Sequence, residues 1–208
     1  MAQVPFRVIE GTRKQANPSG EQDLIAAAQH SDTGAFQELY EYYRERVYNL
    51  VYYSLNDVQQ AEDAFQTVFV NVFKALPHFR LESSFHTWMY RIALNECKNR
   101  KRRPRLFVPI SNISDGRDEP DPSPGPDALH ASNQRAQIVR RAVMNLKPKY
   151  RTVVILKYLE EMSYEEIAVT LGCSPGTVAS RLCRALQILE KRLVGAHAMR
   201  PYKHSIIY

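Results

Sequence analysis

The chain has 208 residues and a net charge of +6 at pH 7, so it can hold one large domain or two small ones and favours a polyanionic partner. No run approaches the roughly 18 apolar residues of a membrane span, and the N-terminal stretch lacks the apolar core of a signal peptide, so neither membrane insertion nor export is expected. Cys97, Cys173 and Cys183 have no C-x-x-C spacing, which argues against zinc and disulfides and leaves them as buried small apolar groups in a reducing cytosol.

Residues 1–22 are polar, with little periodicity, and are expected to form a flexible tail. Leu24, Ile25 and Ala28 make a first short helical stripe, which "HSDTG" punctuates. Phe36, Leu39, Tyr40, Tyr43, Val47, Leu50 and Val51 continue at helix spacing. A third stripe runs through Val58, Ala61, Phe65, Val68, Phe69, Val72, Phe73 and Leu76 until Pro77 breaks it. A fourth helix, in "SSFHTWMYRIALNECKNRKRR", starts at a Ser cap and ends in a basic run.

The character then changes. Residues 105–134 include "ISDGRDEPDPSPGPDALH", rich in Pro, Asp, Gly and Ser without an apolar period, the composition of a flexible acidic linker. Its charge, directly after a basic run, would let it lie near a basic surface or a basic path for RNA, the alternative being a merely solvated linker. Beyond it, Ile138, Val139, Ala142, Val143 and Leu146 give another helix. Pro148 opens the next, with Tyr150, Val153, Val154 and Leu156 turned inward.

The most informative stretch is "SYEEIAVTLGCSPGTVASRLCRALQILEKRL". Ser163 followed three residues later by Glu166 is a capping box, and Tyr164, Ile167, Ala168 and Leu171 form one apolar side. Gly172 can end that helix in the left-handed region, and Ser174 with Pro175 can start a second one. There Val178, Leu182, Ala185, Leu186, Leu189 and Leu193 are expected inside, while Thr177, Ser180, Arg181, Arg184 and Gln187 face out. Two short amphipathic helices on a Gly-containing turn match a helix-turn-helix, whose second helix meets base edges in the major groove. The whole pattern predicts an all-α fold of two small helical domains on a flexible linker, the C-terminal one containing the helix-turn-helix. No phosphate loop, nucleophile elbow or metal-ligand spacing of its six histidines argues for an enzyme, a cofactor or a metal. Glu160–Glu161 and Glu165–Glu166 read as capping and solvated surface.

With these residues laid out, the chain resembles the bacterial extracytoplasmic-function (ECF) sigma factors of RNA polymerase. "SYEEIAVTLGCSPGTVASRL" resembles that family's promoter-reading hairpin, and "FRLESSFHTWMYRIALNECKN" its other hallmark. "VQQAEDAFQTVFVNVFKAL" is similar to the helix that docks on the polymerase clamp. The resemblance implies a sigma region 2 over residues 23–104 and a sigma region 4 over 135–195, flanked by a tail over 196–208. Region 2 would bind core RNA polymerase, recognise the −10 element and aid melting; region 4 would recognise the −35 element. Catalysis would stay with the core enzyme in the cytoplasm. The residues implied at the −10 element are Phe79, Arg80, Ser83, Ser84, Phe85, Trp88, Arg91, Asn95, Lys98 and Arg100, an aromatic loop followed by a basic track.

For the −35 element the resemblance implies Ser174, Thr177, Ser180, Arg181 and Arg184, and for the polymerase Glu62, Asp63, Gln66, Asn71 and Lys74. Thr67, Lys149, Ala179 and Leu186 depart from residue types common in the family. An anti-sigma factor is the implied antagonist, and promoter DNA the ligand. The alternative reading is a helix-turn-helix regulator that acts without joining the polymerase.

Overall fold

The computed structural model describes residues 20–102 and 127–195. Among the described residues the chain is all-α, with no strand.

Local chemistry sets the limits of each helix. Helix α1 (Glu21–Gln29) follows Gly20, whose φ of 77° costs a glycine little, and carries Glu21 and Asp23 where the helix dipole favours carboxylates. The Asp32 carboxylate caps α2 (Thr33–Leu55), accepting from the Gly34 and Ala35 N–H groups at 2.8 and 3.1 Å. Asn56 ends α2 in the left-handed region. Asp57 then caps α3 (Val58–Ala75), accepting from the Gln60 N–H at 2.9 Å. Pro77 falls in a 3-10 turn over Leu76–His78, which stops α3 as the sequence predicts. A loop follows, and then α4 (Phe85–Arg102).

These four helices close around one core. Leu39, Tyr43 and Val47 of α2, Ala61 and Val68 of α3, and Phe85, Met89 and Ala93 of α4 are all buried. Each large apolar side chain placed there contributes about 1.5–3 kcal/mol. The Tyr43 phenol donates to Glu21, which ties α1 to α2, and burial raises its pKa.

A second unit is built from α5 (Asp127–Met144), α6 (Pro148–Tyr158), α7 (Tyr164–Leu171) and α8 (Pro175–Gly195). Helix α5 already begins at Asp127, inside the segment read from composition as linker. The rest of that linker, including its expected approach to a basic surface, lies outside the described residues, as do residues 1–19 and 196–208. In α6 the sequence placed Tyr150, Val153, Val154 and Leu156 inward; the last three are buried and Tyr150 half-buried, while Ile155 and Arg151 are buried as well. The reason is that α6 is enclosed on two sides, by α8 of its own unit and by α2 of the first.

The two units therefore touch, α2 against α6 and α4 against α7. Glu160, expected on solvated surface, sits in this contact with its side chain only 4% exposed. It accepts from the Tyr90 hydroxyl and lies 3.7 Å from Arg46 Nε. Burial pushes its carboxyl up to about 7. Nearby, His86 Nε2 is 3.3 Å from Glu166 Oε1, and Arg140 donates to the Tyr52 hydroxyl at 2.8 Å. Cysteine burial also differs from expectation. Cys97 is buried and its thiol is pushed up to about 12, whereas Cys173 is half-buried and Cys183 exposed.

Candidate nucleic-acid interface

The helix-turn-helix forms by the signals its sequence carries. Ser163 Oγ accepts from the Glu166 N–H at 3.1 Å, and Glu166 Oε2 accepts from the Ser163 N–H at 2.8 Å, closing the capping box. Burial alone would raise the Glu166 carboxyl, but the Ser163 bonds and His86 outweigh it and hold the group low. Ser163→Ala is expected to cost about 1 kcal/mol, read as a lower denaturant midpoint at unchanged slope. Gly172 turns the chain at φ 62°, where a Cβ would meet nothing within 4 Å; the demand for glycine is conformational rather than steric. Ser174 Oγ accepts from the Thr177 N–H at 3.2 Å and so starts α8.

Val178, Leu182, Ala185, Leu189 and Leu193 seat α8 on the core, as its period predicts, while Leu186 is 36% exposed. Of the five −35 candidates, Ser174, Ser180 and Arg184 are exposed, and Thr177 and Arg181 are half-buried. Two hydroxyls already have local partners: Ser174 Oγ lies 2.9 Å from Thr177 Oγ1, and Ser180 donates to the Thr177 carbonyl at 3.0 Å. Arg181 reaches back toward Cys173 Sγ at 4.0 Å. Arg184 projects from the same helix into solvent.

In the first unit the −10 candidates form two groups, the loop with its supporting rings and one side of α4, and Arg100 stands apart from both. Phe79 and Phe85 belong to the core, 7% and 3% exposed, and half-buried Trp88 packs on both, with centroids 4.8 and 5.7 Å away. These rings shape the loop between them. That loop is braced from α1 by Gln29, whose side chain donates to the Phe79 carbonyl at 2.7 Å. On the loop Arg80 and Ser84 are exposed and Ser83 is half-buried; Ser84 Oγ pairs with Thr87 Oγ1 at 2.7 Å.

Arg91, Asn95 and Lys98 form the second group, spaced i, i+4, i+7 along one exposed side of α4. The basic run beyond them is not a uniform patch. Arg100 is turned to α3, with Nε 2.7 Å from Glu96, Nη2 donating to Thr67 Oγ1 at 3.0 Å and Nη1 3.8 Å from Asp63. Lys101 is turned to α2, donating to the Ser54 carbonyl at 2.6 Å.

On α3 all five polymerase candidates, Glu62, Asp63, Gln66, Asn71 and Lys74, are exposed. Two apolar neighbours escaped the sequence reading. Val70 is 51% exposed, and Phe73, assigned to the buried stripe, is 45% exposed with one edge packed on Phe36. Glu62, Gln66, Val70 and Phe73 follow one another at i, i+4, i+8 and i+11, a line beside the buried stripe rather than within it. Val58, also assigned to that stripe, is the first residue of α3 and is 48% exposed. Among the described residues no group of three or more His, Cys, Asp or Glu is placed to hold a metal ion.

Comparisons with known proteins converge on these two helical units. Residues 39–106 match the family described as Sigma-70 region 2, and residues 136–189 match Sigma-70, region 4. The RNA polymerase sigma-H factor of Pseudomonas aeruginosa is 34% identical over 83% of this chain and 93% of its own length. The ECF RNA polymerase sigma-E factor of Escherichia coli is 35% identical over 83% of this chain and 94% of its own. Among solved structures, CnrH in complex with the cytosolic domain of CnrY shares the fold, with a TM-score of 0.62 and 23% identity over 85% of this chain and 99% of that one. The sigma factor RpoE of Bartonella quintana, in complex with the anti-sigma factor NepR, has a TM-score of 0.58 and 22% identity over 76% and 96% of the two chains. The chain belongs to the extracytoplasmic-function RNA polymerase sigma factors and serves in transcription initiation.

Proposed function

We propose that the two units divide the promoter between them. The open side of α8, from Ser174 through Thr177, Ser180 and Arg181 to Arg184, reads the −35 element. Its arginines make the base and phosphate contacts, and the already bonded hydroxyls of Ser174 and Ser180 hold the helix start in shape. In the first unit, Arg80, Ser83 and Ser84 of the loop and Arg91, Asn95 and Lys98 of α4 take the −10 element. Trp88 supplies the available ring edge. Phe79 and Phe85 build the loop from beneath, and Arg100 fixes α4 to α3.

The exposed line of α3 docks on core RNA polymerase. Glu62, Asp63, Gln66, Asn71 and Lys74 supply polar contacts around an apolar centre of Val70 and Phe73. The polymerase contributes the nucleotidyl-transfer chemistry, and the sigma factor acts in the same compartment without a catalytic residue of its own. A sigma factor of this fold, RpoE of Bartonella quintana, was solved with an anti-sigma factor, which supports an anti-sigma factor for this chain too. A regulator acting without the polymerase is not favoured, since both sigma regions are present.

The observation that carries this reading is that α3 leaves two large apolar side chains in water next to a line of polar ones. Val70→Asp should sharply reduce co-elution with core polymerase and leave helix content and melting temperature nearly unchanged, because Val70 is 51% exposed. Undiminished co-elution would overturn the assignment of α3.

A further inference from the structure

Between the two units lies a cavity of about 230 Å³. Lys98 and Lys101 line it from α4, Lys149 and Thr152 from α6, Arg181 from α8 and Ser54 from α2. No carboxylate lines it. Four cations therefore border one half-open pocket with no carboxylate among its lining residues, an arrangement whose mutual repulsion an anion would relieve.

Two further features point the same way. Helix α6 begins at the cavity, and Lys147 at its cap offers no side-chain hydrogen bond, so the positive end of the helix dipole is left uncapped there. Ser54 is 6% exposed, and its hydroxyl is turned to the Cys97 thiol. Arg151, equally buried behind Lys101, leaves its Nε unpartnered. Burial and then the Arg151 charge hold the Lys101 ammonium below its ordinary range, so the neighbourhood is short of negative charge.

We propose that this cavity binds a compact phosphate anion, of the size of inorganic pyrophosphate, which bridges Lys101 of the first unit to Lys149 and Arg181 of the second and holds the two together. The volume falls below the roughly 300–1,000 Å³ of pockets that enclose drug-sized ligands, which favours a small polyphosphate over a whole nucleotide. The phosphate could instead belong to a nucleic-acid backbone, because Lys98 and Arg181 are also assigned to promoter contacts. The test separates these sources.

Sodium pyrophosphate at millimolar concentration, with ionic strength held constant by sodium chloride, should raise the melting temperature of the full chain by about 4 °C. Lys149→Glu should lose most of that rise. It places an acidic residue at a helix start, which does not threaten folding. Lys149→Gln, which removes one exposed charge without adding another, should melt close to the wild type without ligand and should weaken pyrophosphate about threefold or more. Duplex promoter DNA, titrated onto the same Lys149→Glu protein, should bind as it does to the wild type. An equal rise with chloride alone, or an undiminished rise in Lys149→Glu, would overturn the proposal. So would a loss of duplex affinity in step with pyrophosphate, which would make the cavity part of the promoter track.

Discussion

Run-off transcription from a promoter with an intact −35 element is expected to fall about tenfold or more when Arg184 is replaced by alanine. Initiation on a pre-melted template lacking that element should change less than about twofold. The magnitude follows from the loss of one good guanidinium–guanine contact, worth about 1–3 kcal/mol of discrimination. Arg184 is the cleaner probe of the two arginines, because it projects into solvent from the open side of α8. Arg181→Ala should also reduce −35-dependent transcription, but Arg181 lines the cavity between the units, so its loss changes that contact too. Equal losses on both templates for Arg184→Ala would mean that α8 does not read the −35 element.

The second large effect concerns Glu160. Its carboxyl is buried between Tyr90 and Arg46 and pushed up from 4.5 to about 7. The folded chain thus holds this proton more tightly than the unfolded chain does. Its contribution is fully present below about pH 4.5 and is lost as pH rises toward about 7. A Glu160→Gln variant cannot titrate but keeps an acceptor for Tyr90. Wild-type stability relative to this variant is therefore expected to fall with rising pH between about 5 and 7, at up to about 1.4 kcal/mol per pH unit.

His86 works in the opposite sense. Burial depresses its pKa although Glu166 pulls it up, so its contribution is lost as pH falls below its ordinary 6.5. Comparing the two proteins at each pH cancels this background. A difference that stays flat from pH 5 to 7.5, by chemical denaturation of both, would show that Glu160 is not enclosed between the units. Because Glu160 follows α6 while Tyr90 and Arg46 belong to the first unit, ionisation at neutral pH also weakens the closed arrangement.

What the sequence made legible was local. Ser163 with Glu166, Gly172, Ser174 and Pro175 determine both helices of the hairpin through bonds made within a few residues, and the structure forms them. Pro77 stops α3, and the α2 stripe from Leu39 to Val51 is buried. Features that depend on a distant neighbour were not legible. Phe79 and Phe85 carry the same aromatic signal as a base-stacking residue, and only the packing of α1 and α2 beneath them turns them inward. Arg100 and Lys101 look like their exposed neighbour Lys98, yet their angular positions on α4 aim them at α3 and α2. Val70 and Phe73 lie one step round the helix from the buried stripe, a distinction too fine for a hydrophobic pattern. Glu160 had no local signal at all, since its partners lie in the other unit.

The central claim is that this chain gives core RNA polymerase its choice of start site. It is tested most directly by run-off transcription with purified core enzyme on templates carrying candidate −35 and −10 elements. The account predicts a discrete transcript that requires the added chain and disappears when either element is scrambled. No discrete transcript on any such template, with a core enzyme that initiates normally when given another sigma factor, would contradict it.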